Sequence, residues 1–199
     1  MIFDIPKFKK TLEIANILDA KCFRLFSFYI EKGKSADDYK SKVIQQMGEF
    51  VKANENSGIT LCHENEKGIF GDVASRCVEI HKALPEIRAV YDPANFIQCG
   101  ENTVKAFEML SDYVHYMHIK DALEDGTIVP SGKGVGKIAD LVKMYQGEIL
   151  TLEPHLYEFS GLKNLEQEGE TSTILQSYKD NREAFDAGVN ALKDILKGV

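Results

Sequence analysis

The sequence predicts an α/β fold of parallel strands with helices outside them, and three observations predict it. Four short, mostly β-favouring apolar runs each end in one charged or metal-capable side chain: Ile59–Glu64, Ile87–Asp92, Val114–His118 and Ile149–Glu153. Each run is followed by a loop and then by apolar residues at helical spacing, the alternation of βα units. A fifth run, Cys22–Phe28, precedes them with Arg24 inside it. The intervals between Arg24, Glu64, Asp92, His118 and Glu153 average roughly 32 residues, so eight units need about 260, the usual size of a (β/α)₈ barrel. With 199 residues the chain has room for about five strands. It reads as a single domain over 1–199, the later part of such a barrel.

The elements follow in order. Pro6 suits a helical first turn, and Phe8, Leu12, Ala15 and Leu18 recur behind it on one face. After the strand from Cys22, Ser35 is an N-cap candidate with Asp37 and Asp38 in the first turn. Tyr39, Val43, Met47 and Phe50 stripe the helix that follows, and Val73, Cys77, Ile80 and Leu84 stripe the next, which ends before Pro85. Pro93–Phe96 reads as irregular, because a residue before proline avoids the helical region. Asn102 caps a short helix bearing Val104, Phe107 and Leu110. A long glycine-rich loop leads to a helix marked by Ile138, Leu141, Val142 and Tyr145. A polar stretch from Gly161 to Ser172 precedes a last amphipathic helix at about 173–197.

Composition narrows the function. Hydrophobic residues make up 44% and charged residues 28%, an ordinary globular balance, and the net charge of -7 disfavours nucleic acid or an anionic membrane as partner. No apolar stretch is long enough to span a bilayer, and Met1–Ala20 is amphipathic, not a signal peptide. Cys22, Cys62, Cys77 and Cys99 form no CxxC pair and read as small buried hydrophobes of a reducing, cytoplasmic compartment.

Parallel strands are buried on both faces, so a carboxylate or imidazole has its place at the strand end. Glu64, Asp92, His118 and Glu153 therefore read as one metal site. Two glutamates, an aspartate and an imidazole make a hard, mainly oxygen donor set, suited to Mn²⁺ first, with Mg²⁺, Co²⁺ or Zn²⁺ as alternatives. Three carboxylates close together need a cation or shared protons. His63 and His115 have the opposite strand parity and read as packing histidines, while His81 reads as a surface residue of its helix. Gly132-Lys133-Gly134-Val135-Gly136 lacks the phosphate-loop spacing and reads as a flexible loop. Lys120 and Asp121 admit a bland reading as a surface pair.

The segments His63-Glu64-Asn65-Glu66, Tyr91-Asp92-Pro93-Ala94-Asn95-Phe96, His118-Ile119-Lys120-Asp121 and Leu152-Glu153-Pro154-His155 resemble the xylose-isomerase-like TIM-barrel superfamily, most nearly its sugar phosphate isomerase/epimerase group. No single segment is specific, but the four in this order at this spacing are. The resemblance implies a partial TIM barrel of the family's strands four to eight, without the N-terminal third. It implies metal ligands at Glu64, Asp92, His118 and Glu153. It also implies that Glu64 and Glu153 exchange a proton with a ketose through an enediolate. Lys120 would stabilise the oxyanion. Arg24 would pair with a ligand carboxylate or a substrate phosphate, or serve as a structural partner, and Asn95 and His155 would contact hydroxyls. The family commonly has a histidine where this chain has Asn95.

Five strands leave open sheet edges, so a second copy or another chain is expected to cover them. The alternative function is a non-catalytic remnant that binds metal, a small ligand or a subunit. An inosose dehydratase would use the same ligands. An apurinic endonuclease, with many histidines and a basic face, fits five histidines and a charge of -7 poorly.

Overall fold

The computed structural model describes residues 3–157, 173–174 and 178–199. In chain order its elements are α1 (Ile5–Ile17), β1 (Cys22–Leu25), α2 (Lys40–Asn54), β2 (Thr60–Glu64), α3 (Ala74–Ala83), β3 (Ile87–Tyr91), α4 (Pro93–Gln98), α5 (Thr103–Leu110), β4 (Val114–Ile119), β5 (Asp121–Ala122), β6 (Ile128–Val129), α6 (Ile138–Met144), β7 (Leu150–Leu152) and α7 (Asn181–Leu196). The five strands β1-β2-β3-β4-β7 form one sheet in sequence order, and β5 and β6 form a separate pair. This is the α/β architecture of a partial TIM barrel, with parallel pairing at β1–β2, β2–β3 and β4–β7. Among the described residues no helix is long and apolar enough to cross a membrane.

The chain divides into two compact units, one of Met1–Tyr91 with Met109–His115 and the other of Asp92–Glu108 with Tyr116–Val199. In the first, α1 starts where Asp4 accepts the Lys7 N–H at 2.9 Å and Pro6 occupies the first turn. Phe8, Leu12 and Ala15 are buried as their spacing predicts, but Leu18 is the exposed C-cap. The buried face of α2 carries Val43, Met47 and Phe50, and the Phe8 and Phe50 rings pack tilted at 49° with their centroids 4.6 Å apart. Ser35 precedes a short 3₁₀ turn, Ala36–Tyr39, and makes no side-chain cap bond, so α2 begins only at Lys40. The first strand is shorter than its composition suggests, ending at Leu25.

His81 is not on the surface. It is 1% exposed, its Nδ1 lies 3.0 Å from the Ile87 carbonyl, and its ring stacks on Tyr113 at 5.1 Å. His63 is buried beside it, as its strand parity predicts, with ring centroids 6.0 Å apart. Gly71 leaves the room: a Cβ there would meet the His63 ring at 2.3 Å. The other packing histidine, His115, is half-buried with a ring nitrogen near two cysteine sulfurs.

In the second unit, Pro93–Phe96 is helical, not irregular. Asp92 keeps the extended backbone that a residue before proline prefers (φ -109°, ψ 109°) and caps α4 by accepting the Asn95 N–H at 2.9 Å. Proline then sits at N1, where its missing N–H costs nothing. Asn102 caps α5 as expected, accepting the Lys105 N–H at 3.0 Å.

The glycine-rich loop is not simply flexible either. It begins with the antiparallel pair β5–β6, and the Gly132, Gly134 and Gly136 N–H groups then all donate to Asp121, at 2.8, 3.0 and 2.9 Å. Asp121 is fully buried, not half of a surface pair. A core of Ala94, Ile97, Ala122, Ile128, Leu156 and Ala184 packs beneath, with α7 starting where Asp180 accepts the Glu183 N–H at 2.9 Å. The polar stretch 161–172 lies outside the described residues.

Candidate metal centre

Three residues of the second unit, each at or just past a strand end, bring chemistry together. Asp92 follows β3 and is held by its capping role, with Oδ1 on the Asn95 N–H and Oδ2 turned to the site. His118 lies near the end of β4. Parallel pairing of His118 with Thr151 brings the residue just past β7, Glu153, alongside it, where the Glu153 N–H donates to the Ile119 carbonyl at 3.3 Å. The result is one imidazole nitrogen facing two carboxylates. His118 Nδ1 is 2.7 Å from Glu153 Oε2 and 3.4 Å from Asp92 Oδ2. Asp92 and His118 are buried, and a quarter of the Glu153 side chain is exposed.

A lysine and a second imidazole flank the group. Lys120 Nζ lies 3.5 Å from Asp92 Oδ2 and donates to Asn95 Oδ1 at 2.9 Å, and Lys120 itself is only 6% exposed. His155 Nε2 lies 3.0 Å from Glu153 Oε1, and its backbone adopts the left-handed region at φ 45°. Past His155, a cleft of about 410 Å³ is walled by Pro154, Leu156, Tyr157, Ala184 and Phe185.

The electrostatics follow from these contacts. Burial alone would raise the Asp92 pKa, but the Lys120 ammonium and the His118 ring outweigh it and hold the carboxyl below its usual range. Burial acts the same way on Glu153, and hydrogen bonds from His118 and His155 overturn it, so this carboxyl is also lowered. Both are carboxylates at neutral pH. Their facing oxygens and the imidazole nitrogen lie within 4.8 Å of one another. Two hard oxygen donors and one imidazole, close together and shielded from water, fit a divalent cation such as Mg²⁺, Mn²⁺, Co²⁺ or Zn²⁺.

The first unit carries the other two residues named from sequence. Glu64 closes β2, is 2% exposed, and accepts a hydrogen bond from Arg24 Nη1 at 2.6 Å. The guanidinium also lies over the Phe26 ring, 5.1 Å from its centroid. The Glu64 carboxylate is thus a partner of Arg24. Sequence reasoning missed Asn95 as the acceptor that positions Lys120. No periodicity signals a bond across 25 residues.

Comparison with known proteins comes to the same scaffold. A family model described as xylose isomerase-like TIM barrel matches residues 4–193. No curated protein matches the sequence. Among solved structures, the IolI protein with a bound zinc atom is similar over 98% of this chain and 69% of its own, at 15% identity and a TM-score of 0.73. The D-psicose 3-epimerase of Clostridium cellulolyticum H10, solved with D-tagatose, is similar over 97% and 69%, at 15% identity and a TM-score of 0.70. A xylose isomerase-like TIM-barrel protein from Mycobacterium smegmatis, in complex with magnesium, is similar over 97% and 67%, at 10% identity and a TM-score of 0.68. The chain thus spans about two thirds of the length of these proteins.

Proposed function

We propose that this chain, which belongs to the xylose isomerase-like TIM-barrel family, is a divalent-metal-dependent isomerase or epimerase of small ketoses or their phosphates. The observation that carries the reading is the His118 imidazole facing the Asp92 and Glu153 carboxylates in a buried setting. A lysine ammonium and two imidazoles already surround the carboxylates, yet the donor set remains that of a hard-metal site. Glu64 is the fourth ligand in this reading. The zinc- and magnesium-bearing structures of the same fold support a metal, and the ketose-bound epimerase supports the substrate class.

A divalent ion held by these residues would polarise the carbonyl and adjacent hydroxyl of a ketose and so acidify the C–H between them. The chain's own groups do the rest. Glu153, ionised and oriented by His155, takes or returns the proton on one face of the substrate, and Glu64 does so on the other. Lys120, positioned by Asn95, offers an ammonium to the developing enediolate oxygen. Arg24 holds Glu64 in one rotamer, and Asn95 and His155 are the groups available to sugar hydroxyls. In the same reading a second chain pairs with the outer strands β1 or β7, which light scattering of the purified protein checks as a mass above 22.3 kDa.

The test is solvent-deuterium exchange into ketohexoses and pentuloses, followed by NMR, with Mn²⁺ or Mg²⁺ added to chelator-treated protein. Metal-dependent exchange in the wild type that Glu153→Gln abolishes supports the proposal. Metal binding without exchange for any ketose sinks it, and leaves a protein that binds metal and ligand without turnover.

A further inference from the structure

We propose that Cys22, Cys62 and His115 form a second cation site, for a thiophilic ion of the zinc class, built from none of the residues of the carboxylate centre. The three come from different strands of the first unit: Cys22 opens β1, Cys62 is central in β2, and His115 is near the start of β4. One donor atom of each lies within 4.8 Å of the other two. A tetrahedral zinc with sulfur at about 2.3 Å and nitrogen at about 2.0 Å needs its donors roughly 3.5 to 3.8 Å apart. Side-chain adjustments of about an ångström or less close that difference.

Strand register argues against the obvious alternative, a disulfide. Cys22 pairs with Thr60, so Cys62 lies two residues further along the neighbouring strand. With strands about 4.8 Å apart and a rise of about 3.3 Å per residue, the two Cα atoms are about 8 Å apart. A disulfide requires less than about 7 Å. The strand offset thus lets two sulfurs converge while keeping their backbones too far apart to cross-link, and all four cysteines are outside disulfides.

The donor set then selects the ion. Two thiolates and an imidazole favour zinc or copper(I) over magnesium, manganese or calcium, the reverse of a carboxylate-rich site. Two thiolates also neutralise a dication, so the filled site carries no net charge into the partly buried sheet. On binding, each thiol gives its proton to solvent and no oxidant or reductant is consumed. Cys62 is buried, while Cys22 and His115 are half-buried, which leaves an ion a route in from solvent.

Cobalt(II) titration of the reduced, chelator-treated chain tests this, because cobalt–thiolate bonds give an intense near-ultraviolet charge-transfer band that carboxylate and imidazole ligands cannot. The wild type, the Asp92→Asn variant and a Cys77→Ser/Cys99→Ser double variant should all show the band at one equivalent. Cys22→Ser and Cys62→Ser should lose it, and His115→Gln should bind cobalt at least tenfold more weakly. If the buried Cys62→Ser variant does not fold, Cys22→Ser at the half-exposed position decides. Absence of the band in the reduced wild type, or its persistence in Cys22→Ser, overturns the proposal.

Discussion

His118 Nδ1 sits 2.7 Å from Glu153 Oε2, and this pair ties the end of β4 to the residue just beyond β7. In the proposed reading the contact would serve two states. Without a cation a proton lies between the imidazole nitrogen and the carboxylate, and a divalent ion held by His118, Asp92 and Glu153 would take that proton's place. Ligand that binds only the folded chain stabilises it, by about 2.7 kcal/mol at a hundred times its dissociation constant. Mn²⁺ or Mg²⁺ should therefore raise the melting temperature of chelator-treated protein, and more at pH 8 than at pH 6. His118→Ala should remove the shift, as differential scanning fluorimetry would show. An equal shift in His118→Ala would place the ion elsewhere.

Lys120 is a buried ammonium between Asp92 Oδ2 and Asn95 Oδ1, at 3.5 and 2.9 Å. Its removal takes away a charge aimed at the site and the largest influence lowering the Asp92 pKa. Lys120→Met should reduce kcat by about 10²- to 10³-fold, the scale for losing one oxyanion-stabilising donor. Asn95→Ala, which frees the ammonium without deleting it, should reduce kcat less. Steady-state kinetics on the substrate found by deuterium exchange measure both, and an unchanged kcat in Lys120→Met assigns the lysine to structure alone.

How much of this was legible in the sequence depends on which forces leave a pattern. Strands buried on both faces must be apolar to their ends, so Asp92, His118 and Glu153 stand out as interruptions of β-favouring runs. A helical stripe names its core face, as at Val43, Met47 and Phe50. His81 could have been found that way, four residues after Cys77 and three before Leu84, but its polarity outweighed its position. Asp92-Pro93 was ambiguous for a different reason. The extended backbone required before proline also suits an N-cap, and only the bond to the Asn95 N–H decides between a break and a helix start. The clasp of Asp121 on three glycines was illegible, because its donors are backbone groups 11 to 15 residues away.

The buried histidines make stability depend on pH. Burial pushes the His81 pKa down to about 4 from 6.5, and burial lowers His63 well below 6.5 in the same direction. The unfolded chain therefore takes up protons that the folded chain refuses. Their contribution is intact above pH 6.5, drains as the pH falls toward 4, and levels off once the folded state also protonates. For His81 the full loss is about 3 kcal/mol, at 1.36 kcal/mol for each unit of pKa difference. Urea denaturation between pH 7 and pH 4 should show the decline, and His81→Phe should flatten it. A decline of the same slope in His81→Phe would trace it to other groups.

Asp121 Oδ2 accepts from Gly132 and Gly134, and Oδ1 from Gly136 and the Ala122 N–H, so one carboxylate satisfies four backbone donors. Burial raises its pKa even against the pull of those donors. The loop can close this tightly only because side chains are absent. A Cβ on Gly134 would meet the Ala122 carbonyl oxygen at 2.2 Å and Asp121 Oδ1 at 2.3 Å, and neither is a flexible chain end that can swing away. Gly134→Ala should therefore cost about 3 kcal/mol or more, as overpacking against fixed atoms does. Asp121→Ala should cost a similar amount, since each buried donor left without an acceptor loses about 1 to 3 kcal/mol. Because both variants break the same clasp, the double variant should cost far less than the sum. Equilibrium urea unfolding of the two singles and the double measures this. Full additivity would mean that the glycines and Asp121 stabilise the fold independently.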